Sequence, residues 1–194
     1  MGRGGKIMKK IAVLVAPGFE EGETLTIVDI MRRAGFQCDM FGFTKEVEGA
    51  HSIVVVCDDV LSDEVMNYDM VVLPGGRPGA DNLAASEEVM KILKTMDQNP
   101  NQYVCAMCAA PRALQNAGLL KNRNYTAFTG YGDILPDGNY KEDIVVQDGH
   151  MITSRAPGTT YAFAYYLVDV LGGDSEKVKQ RMAYYDAFGG EAHE

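Results

Sequence analysis

The sequence predicts an α/β protein built on a mostly parallel sheet whose two faces are covered by helices. Strand-like apolar runs alternate with helical patterns over most of the 194 residues, which is the arrangement that produces parallel strands joined by helices. Runs such as Tyr103 to Met107 are continuously apolar, as strands buried on both faces are. Functional residues in such sheets gather beyond the carboxyl ends of the strands, so the fold class also predicts where to look for a site.

The first half of the chain contains the clearest alternation. Lys10 to Ala16 is predicted as a strand because it is an apolar run that stops at a proline and a glycine. Glu20 to Ala34 is predicted as a helix, closed by Gly35. The next predicted elements are strands two and three at Gln37 to Phe43 and Ile53 to Cys57, a short helix near Ser62 to Asn67, and a strand at Met70 to Leu73 that ends at Pro74-Gly75-Gly76.

The second half continues with a predicted helix at Glu87 to Gln98, the strand from Tyr103 and a helix from Pro111, a residue tolerated in the first helical turn. The Asp148-Gly149 pair between two β-branched runs predicts a hairpin. Two helices, Thr159 to Leu171 and Ser175 to Phe188, complete the expected elements.

Composition indicates one soluble globular domain. The chain is 46% hydrophobic and 23% charged, and its net charge of -9 argues against nucleic acid or acidic membranes as partners. We expect the domain to span residues 8–190, with residues 1–7 a leader or an expression remnant and residues 191–194 a tail. The basic N-terminus precedes an apolar run too short for a signal peptide, and no segment suggests a transmembrane helix. Four cysteines, mostly on strand-like segments, fit reduced thiols in the cytoplasm.

Cys108 is the most informative residue because it stands where the Tyr103 strand gives way to the helix from Pro111. A strand-to-helix corner that presents a nucleophile is the principle of the nucleophile elbow. The start of the following helix should lower the pKa of the thiol. A small buried hydrophobe remains the alternative for any free cysteine. Cys105 and Cys108 also form a C-x-x-C, but an extended strand separates their Cα atoms by about 10 Å, too far for a disulfide, so Cys105 is expected in the core.

Three glutamates open the first predicted helix. Complementarity with the helix dipole explains Glu20 and Glu21. Glu23 lies one turn inside the helix, where its carboxyl is expected to reach the Cys108 sulfur and to share a proton with it, or to stabilise an oxidised sulfur.

Gly75 and Gly76 form either a simple tight turn or part of an oxyanion site above Cys108, together with the backbone amide of Ala109. The glycines that follow do not complete a dinucleotide-binding fingerprint. The histidines His51, His150 and His193 are scattered and none is expected near a strand carboxyl end, so the sequence predicts no Cys-His dyad, no metal site and no cofactor.

Together these segments resemble the ThiJ/PfpI superfamily, in its ThiJ-like branch. The resemblance extends over about residues 8–173 and comprises five blocks in the family's order: Glu20-Glu21-Gly22-Glu23-Thr24, Val28 to Gly35, Val71 to Gly76, Cys108-Ala109-Ala110-Pro111 and Thr153 to Thr159.

The resemblance implies a flavodoxin-like sandwich and a homodimer, for which the family points to the first helix around Asp29 to Arg33. It assigns Cys108 as the elbow cysteine, Glu23 as its hydrogen-bond partner, and Gly76 and Ala109 as oxyanion-hole amides. One departure is that Phe128 takes the place where many members carry a histidine, which disfavours an amidotransferase-like hydrolase.

Two functional hypotheses remain open from the sequence. In the first, the protein is a glyoxalase or deglycase-type enzyme that acts on a small aldehyde through Cys108 and Glu23. In the second, it is an oxidative-stress sensor or chaperone in which Cys108 becomes a sulfinate.

Overall fold

The computed structural model describes residues 8–190; the predicted leader, the predicted tail and His193 lie outside this range. The strands are β1 Lys10–Val15, β2 Gln37–Gly42, β3 Glu46–Glu48, β4 Val54–Val56, β5 Asp59–Val60, β6 Met70–Leu73, β7 Tyr103–Met107, β8 Asn124–Tyr125, β9 Asn139–Tyr140, β10 Val145–Asp148 and β11 Met151–Ser154. The α-helices are α1 Glu21–Arg33, α2 Gly79–Ala85, α3 Glu87–Asp97, α4 Pro111–Asn116, α5 Thr160–Val170, α6 Ser175–Arg181 and α7 Tyr184–Phe188; short 3₁₀ turns cover Asp63–Asn67, Tyr131–Asp133 and Pro157–Thr159.

The central sheet has seven strands in the order β10-β11-β7-β6-β1-β2-β5. Every neighbouring pair in it is parallel except β10 and β11, which form the predicted hairpin. The predicted fold class, an α/β sandwich on a mostly parallel sheet, is therefore confirmed. Because β1, β6 and β7 are adjacent, the loops that follow them leave the same edge side by side.

Two hydrophobic cores lie on opposite faces of this sheet, and β1 contributes to both. Ala12 and Leu14 belong to the core under α2, α3 and α4. Ile11, Val13 and Val15 belong to the core under α1, α5 and α6, as the two-residue period of a strand requires. Among the described residues, no helix combines the length and the apolar character needed to cross a membrane.

The third predicted strand forms, but it lies outside the central sheet. Val54–Val56 is a strand, but it pairs antiparallel with Glu46–Glu48 in a separate ribbon, and the short β5 takes the edge position beside β2. Val54 and Val56 are 57% and 61% exposed. Valine is enriched in strands generally, so composition alone does not say whether such a strand joins the buried sheet or an exposed ribbon.

Two local predictions also need correction, and one helix was not predicted. The unpredicted helix is α2, which begins at Gly79, shortly after the glycine turn that follows β6. The predicted helix Ser175 to Phe188 is two helices, because Ala183 adopts a left-handed conformation with φ of +53° that lets the Tyr184 ring pack on Tyr165 at 5.2 Å between centroids. The hairpin turn consists of Gly149 and His150, because Asp148 is still paired with Met151.

Candidate active site

A cavity of about 530 Å³ opens at the carboxyl edge of the sheet, where the loops after β1, β6 and β7 meet. Glu20 contributes from the first loop, Gly76 and Arg77 from the second, and Cys108 and Ala109 from the third. These three loops therefore converge at one edge of the sheet. Their contacts are close: a Cβ added to Gly75 would lie 2.6 Å from the Cβ of Cys108.

Cys108 occupies the corner itself in a left-handed conformation, with φ of +59°. Such backbone geometry costs a non-glycine residue on the order of 1–2 kcal/mol. The surroundings fix it from both sides: the Cys108 amide donates to the Ser154 carbonyl at 3.1 Å, and the Cys108 carbonyl accepts from the Phe128 amide at 2.9 Å. Cys108 is partly exposed to the cavity, whereas Cys38, Cys57 and Cys105 are buried. The expectation that Cys105 belongs to the core is confirmed.

Glu23 reaches this corner from the first turn of α1, and its side chain is fully buried. Its Oε1 accepts a hydrogen bond from the Gly75 amide at 2.7 Å. Its Oε2 is buried and has no hydrogen-bond partner among the described residues. The carboxyl and the Cys108 side chain both lie against Gly75, since a Cβ added there would lie 2.9 Å from the Glu23 Oε1 and 2.6 Å from the Cys108 Cβ. Burial raises the pKa of Glu23 to about 7, although the Gly75 amide and the Cys108 thiol oppose the rise.

The pKa of the Cys108 thiol is raised, chiefly by burial and then by the charge of Glu23, while the Ala109 and Gly76 amides act to lower it. The expected lowering by the following helix is therefore wrong in direction. The sulfur loses hydration and faces a carboxylate, whereas α4 starts only at Pro111 and has just 6 residues. Since ionising either group hinders ionisation of the other, the carboxyl loses its proton near pH 7 while the thiol keeps its own.

The two glycines after β6 have different tasks. The Gly75 amide donates its hydrogen bond to the Glu23 carboxyl, so it positions that carboxyl instead of facing the cavity. Gly76 has φ of +97°, and a Cβ there would lie 2.3 Å from the Glu20 backbone nitrogen. The Gly76 and Ala109 amides, in contrast, act to lower the pKa of the Cys108 thiol.

His51 is nearer to this region than the sequence suggested, because the β3–β4 ribbon folds back on the start of α1. Glu21 accepts hydrogen bonds from the His51 amide at 2.7 Å and pairs with its Nδ1 at 2.8 Å. Burial acts to raise the pKa of Glu21, but the hydrogen bonds from His51 outweigh it and the pKa is lowered. The Glu21 pair raises the pKa of His51 in turn. Glu20, which lines the cavity, lies 3.8 Å from the same nitrogen.

The expectation that no histidine lies near a strand carboxyl end is therefore wrong for His51. Ligand atoms of Glu20, Glu21 and His51 lie within 4.8 Å of one another. The hydrogen bonds between Glu21 and His51 account for that proximity. No spacing pattern in the sequence could have revealed it, because the contact is made across the tertiary structure.

Sequence reasoning also missed the outer wall of the cavity. Tyr131 is buried, and its ring packs edge to face against Phe128 at 6.1 Å between centroids. Arg77 donates from Nη2 to the Tyr131 hydroxyl at 2.6 Å. Phe128 lines the same cavity as Cys108, so an aromatic ring stands where the sequence comparison with the family would place a histidine.

Known proteins of similar sequence and structure belong to the family that the sequence motifs resemble. The chain is 37% identical over 172 residues to the Parkinson disease protein 7 homolog of Danio rerio, covering 85% of this chain and 90% of that protein. It is 32% identical over 170 residues to the glutathione-independent glyoxalase DJR-1.2 of Caenorhabditis elegans, covering 85% and 90% respectively. The crystal structure of Drosophila melanogaster DJ-1beta superposes with a TM-score of 0.86 at 31% identity, covering 91% of this chain and 98% of that one. The sequence model of the DJ-1/PfpI family matches residues 9–170, and the chain belongs to that family.

Proposed function

We propose that the protein is a cysteine-dependent enzyme that converts small α-oxoaldehydes into α-hydroxy acids. The observation that carries this proposal is the buried Glu23 carboxyl, whose pKa is raised to about 7, beside the Cys108 thiol at the floor of an open cavity. A carboxyl with a pKa near the working pH both accepts and releases protons readily. The relative in Caenorhabditis elegans that is named a glutathione-independent glyoxalase supports the same class of reaction.

The proposed reaction begins with proton transfer from the Cys108 thiol to Glu23. The thiolate adds to the aldehyde carbon and forms a hemithioacetal, whose oxygen takes the proton back from Glu23. The ionised Glu23 then removes the C–H proton from this carbon, which gives an enediol, and delivers it to the neighbouring carbon. The hydroxyl proton of the first carbon passes to the former ketone oxygen, so the first carbon is oxidised to a thioester carbonyl and the second is reduced to a hydroxyl-bearing carbon. The resulting thioester is hydrolysed by water, which releases the hydroxy acid and restores the thiol.

The Gly76 and Ala109 amides, which act to lower the pKa of the Cys108 thiol, would hold the oxygen that carries negative charge in these steps. Deglycase-type activity on aldehyde adducts would use the same attack by Cys108. An amidotransferase-like hydrolase is less well supported, because Phe128 supplies no imidazole to protonate a leaving amine.

Lactate formation from methylglyoxal by the purified protein tests the proposal. We expect turnover in the wild type, none in Cys108→Ala, and wild-type turnover in the matched control Cys57→Ala, which removes a buried thiol elsewhere. A wild type without turnover, or equal turnover in Cys108→Ala, contradicts the proposal.

A second candidate function is oxidation sensing at Cys108, with or without chaperone activity. It is favoured by the exposure of Cys108 to the cavity, in contrast to the three buried cysteines. Peroxide would add two oxygen atoms stepwise to the sulfur, and the Gly76 and Ala109 amides would hydrogen-bond the sulfinate. Mass spectrometry after mild peroxide treatment is expected to place both oxygens on Cys108; oxidation spread evenly over all four cysteines contradicts this function.

We further propose that the protein is a homodimer and acts in the cytoplasm. The dimer is supported by exposed apolar side chains on α1 and on the β3–β4 ribbon: Leu25 is 39% exposed, Val54 57% and Val56 61%. Four free thiols are compatible with a reducing compartment. Light scattering after size exclusion should give twice the mass of one chain in the wild type and a lower mass in Val54→Asp.

A further inference from the structure

The cavity at Cys108 is much larger than the smallest α-oxoaldehydes require. Even at a full water share of ~30 Å³ per heavy atom, methylglyoxal fills only about 150 Å³. The cavity measures about 530 Å³, which is within the range of sites for ligands of several times that size. Most of the space is therefore available to a part of the substrate that lies beyond the dicarbonyl group.

One wall of that space is apolar and aromatic. Phe128, Tyr131, Ile134 and Pro157 line it. Phe128 and Ile134 are 44% and 50% exposed, so their apolar surface is not covered by the protein itself. Burying this surface against a ring or a hydrocarbon chain is favourable at about 25 cal/mol per Å².

A positive charge stands at the rim of the same wall. Arg77 lines the cavity, and its hydrogen bond to the Tyr131 hydroxyl orients the guanidinium. Arg112 lies over the same tyrosine ring, 5.8 Å from its centroid, but it is engaged by Asp81 at 2.7 Å. Among the described residues, Arg77 forms no ion pair, and its geometry suits bidentate recognition of a carboxylate.

One other charged side chain that lines the cavity is Glu20, whose carboxylate lies 3.8 Å from the Nδ1 of His51. The pKa of Arg77 is raised mainly by its hydrogen bond to the Tyr131 hydroxyl, and the charges of Asp81 and Cys108 raise it less. Arg77 is therefore charged at all pH values at which the enzyme is expected to work.

We propose that the preferred substrate is an α-oxoaldehyde carried on an aromatic or hydrocarbon body that ends in a carboxylate, with the body against Phe128, Tyr131 and Ile134 and the carboxylate on Arg77. This inference rests on the proposed function, because it assigns the dicarbonyl group to Cys108. Arg77 acts as a specificity residue and takes no part in the bond changes.

Steady-state kinetics with phenylglyoxal and 4-carboxyphenylglyoxal test this assignment. We expect the wild type to favour the carboxylated compound in kcat/KM by about tenfold or more, the size of a charge-assisted hydrogen bond. Arg77→Gln should lose that preference through a higher KM for the carboxylated compound. Arg77→Lys should retain part of the preference, and Lys94→Gln, which removes an exposed cation on α3, should retain all of it. Equal use of both compounds by the wild type, or an unchanged preference in Arg77→Gln, overturns the inference.

Binding of unreactive analogues separates this inference from the proposed function. Calorimetric titration with 4-acetylbenzoate and acetophenone requires no chemistry at Cys108. Tighter binding of 4-acetylbenzoate that disappears in Arg77→Gln supports the anion site even if no aldehyde is turned over. Turnover of methylglyoxal without any preference for the carboxylated analogue rejects the anion site and leaves the proposed function intact.

Discussion

Replacing Glu23 by glutamine is expected to stabilise the fold at alkaline pH while it removes activity. The Glu23 carboxyl is fully buried, and burial raises its pKa from 4.5 to about 7. The folded protein therefore binds this proton more tightly than the unfolded chain does. The contribution of Glu23 to stability is greatest below pH 4.5 and is lost as the pH rises from 4.5 to about 7.

The size of this effect follows from the shift in pKa. A shift of this size corresponds to about 3 kcal/mol of destabilisation once Glu23 is ionised. Glutamine keeps an oxygen that accepts from the Gly75 amide and carries no charge, so Glu23→Gln should recover up to that amount. For a domain of this length the gain corresponds to an increase in Tm of roughly 6–12 °C.

Thermal unfolding followed by circular dichroism at about pH 8 and about pH 4.5 measures the effect. We expect the higher Tm of Glu23→Gln at the alkaline pH and nearly equal Tm values at the acidic pH. Glu142→Gln, which removes an exposed carboxylate, serves as the matched control and should change Tm little at either pH. An equal shift at both pH values, or a lower Tm at pH 8, would refute the reasoning.

In the same variant kcat should fall by about 10²–10⁴-fold, because glutamine carries no proton between substrate carbons.

Three further perturbations test the backbone and the ribbon. Gly76→Ala should lose about 2–5 kcal/mol of unfolding free energy, because its Cβ would collide with backbone. Gly118→Ala, which is also at positive φ but has nothing within 4 Å of the added Cβ, should lose only about 1–2 kcal/mol. Similar losses for the two variants in urea titrations would contradict the steric argument. His51→Gln should lower Tm more at about pH 5.5 than at about pH 8.5. The hydrogen bond to Glu21 raises the pKa of His51, so the stabilisation by this pair is lost as the pH rises through that pKa. A pH-independent difference in Tm would exclude an ionic contribution. Cys108→Gly should be more stable than Cys108→Ala by about 1 kcal/mol, since glycine adopts φ of +59° without strain. A glycine variant that is less stable than the alanine variant in chemical denaturation would show that the corner is not strained.

Much of the fold was predictable because its elements are encoded locally. The apolar run at Lys10–Val15, the helix closed by Gly35 and the run at Met70–Leu73 each have the periodicity and the end signals of one structure. The β3–β4 ribbon was not predictable in its placement, because whether Val54–Val56 joins the sheet depends on its partner strand. The break at Ala183 likewise depends on the packing of Tyr184 against Tyr165.

The residues of the site also divide into those that the sequence revealed and those that it did not. Cys108 and Gly76 were identifiable because a strand-to-helix corner and a glycine turn leave signals in neighbouring residues. The pairing of His51 with Glu21, the engagement of the Gly75 amide by Glu23, and the guanidinium on Tyr131 join residues far apart in the chain. Local patterns contain no information about such contacts.

By itself, the sequence determined the parallel α/β architecture, the edge of the sheet that carries the site, and the cysteine at its corner. These follow from periodicity and turn chemistry, which act between near neighbours. Only the tertiary structure decided the direction in which the pKa of that cysteine shifts and the shape and charge of the cavity above it. Both depend on how completely water is excluded and on which distant side chains surround the sulfur, and these are properties of the packed molecule.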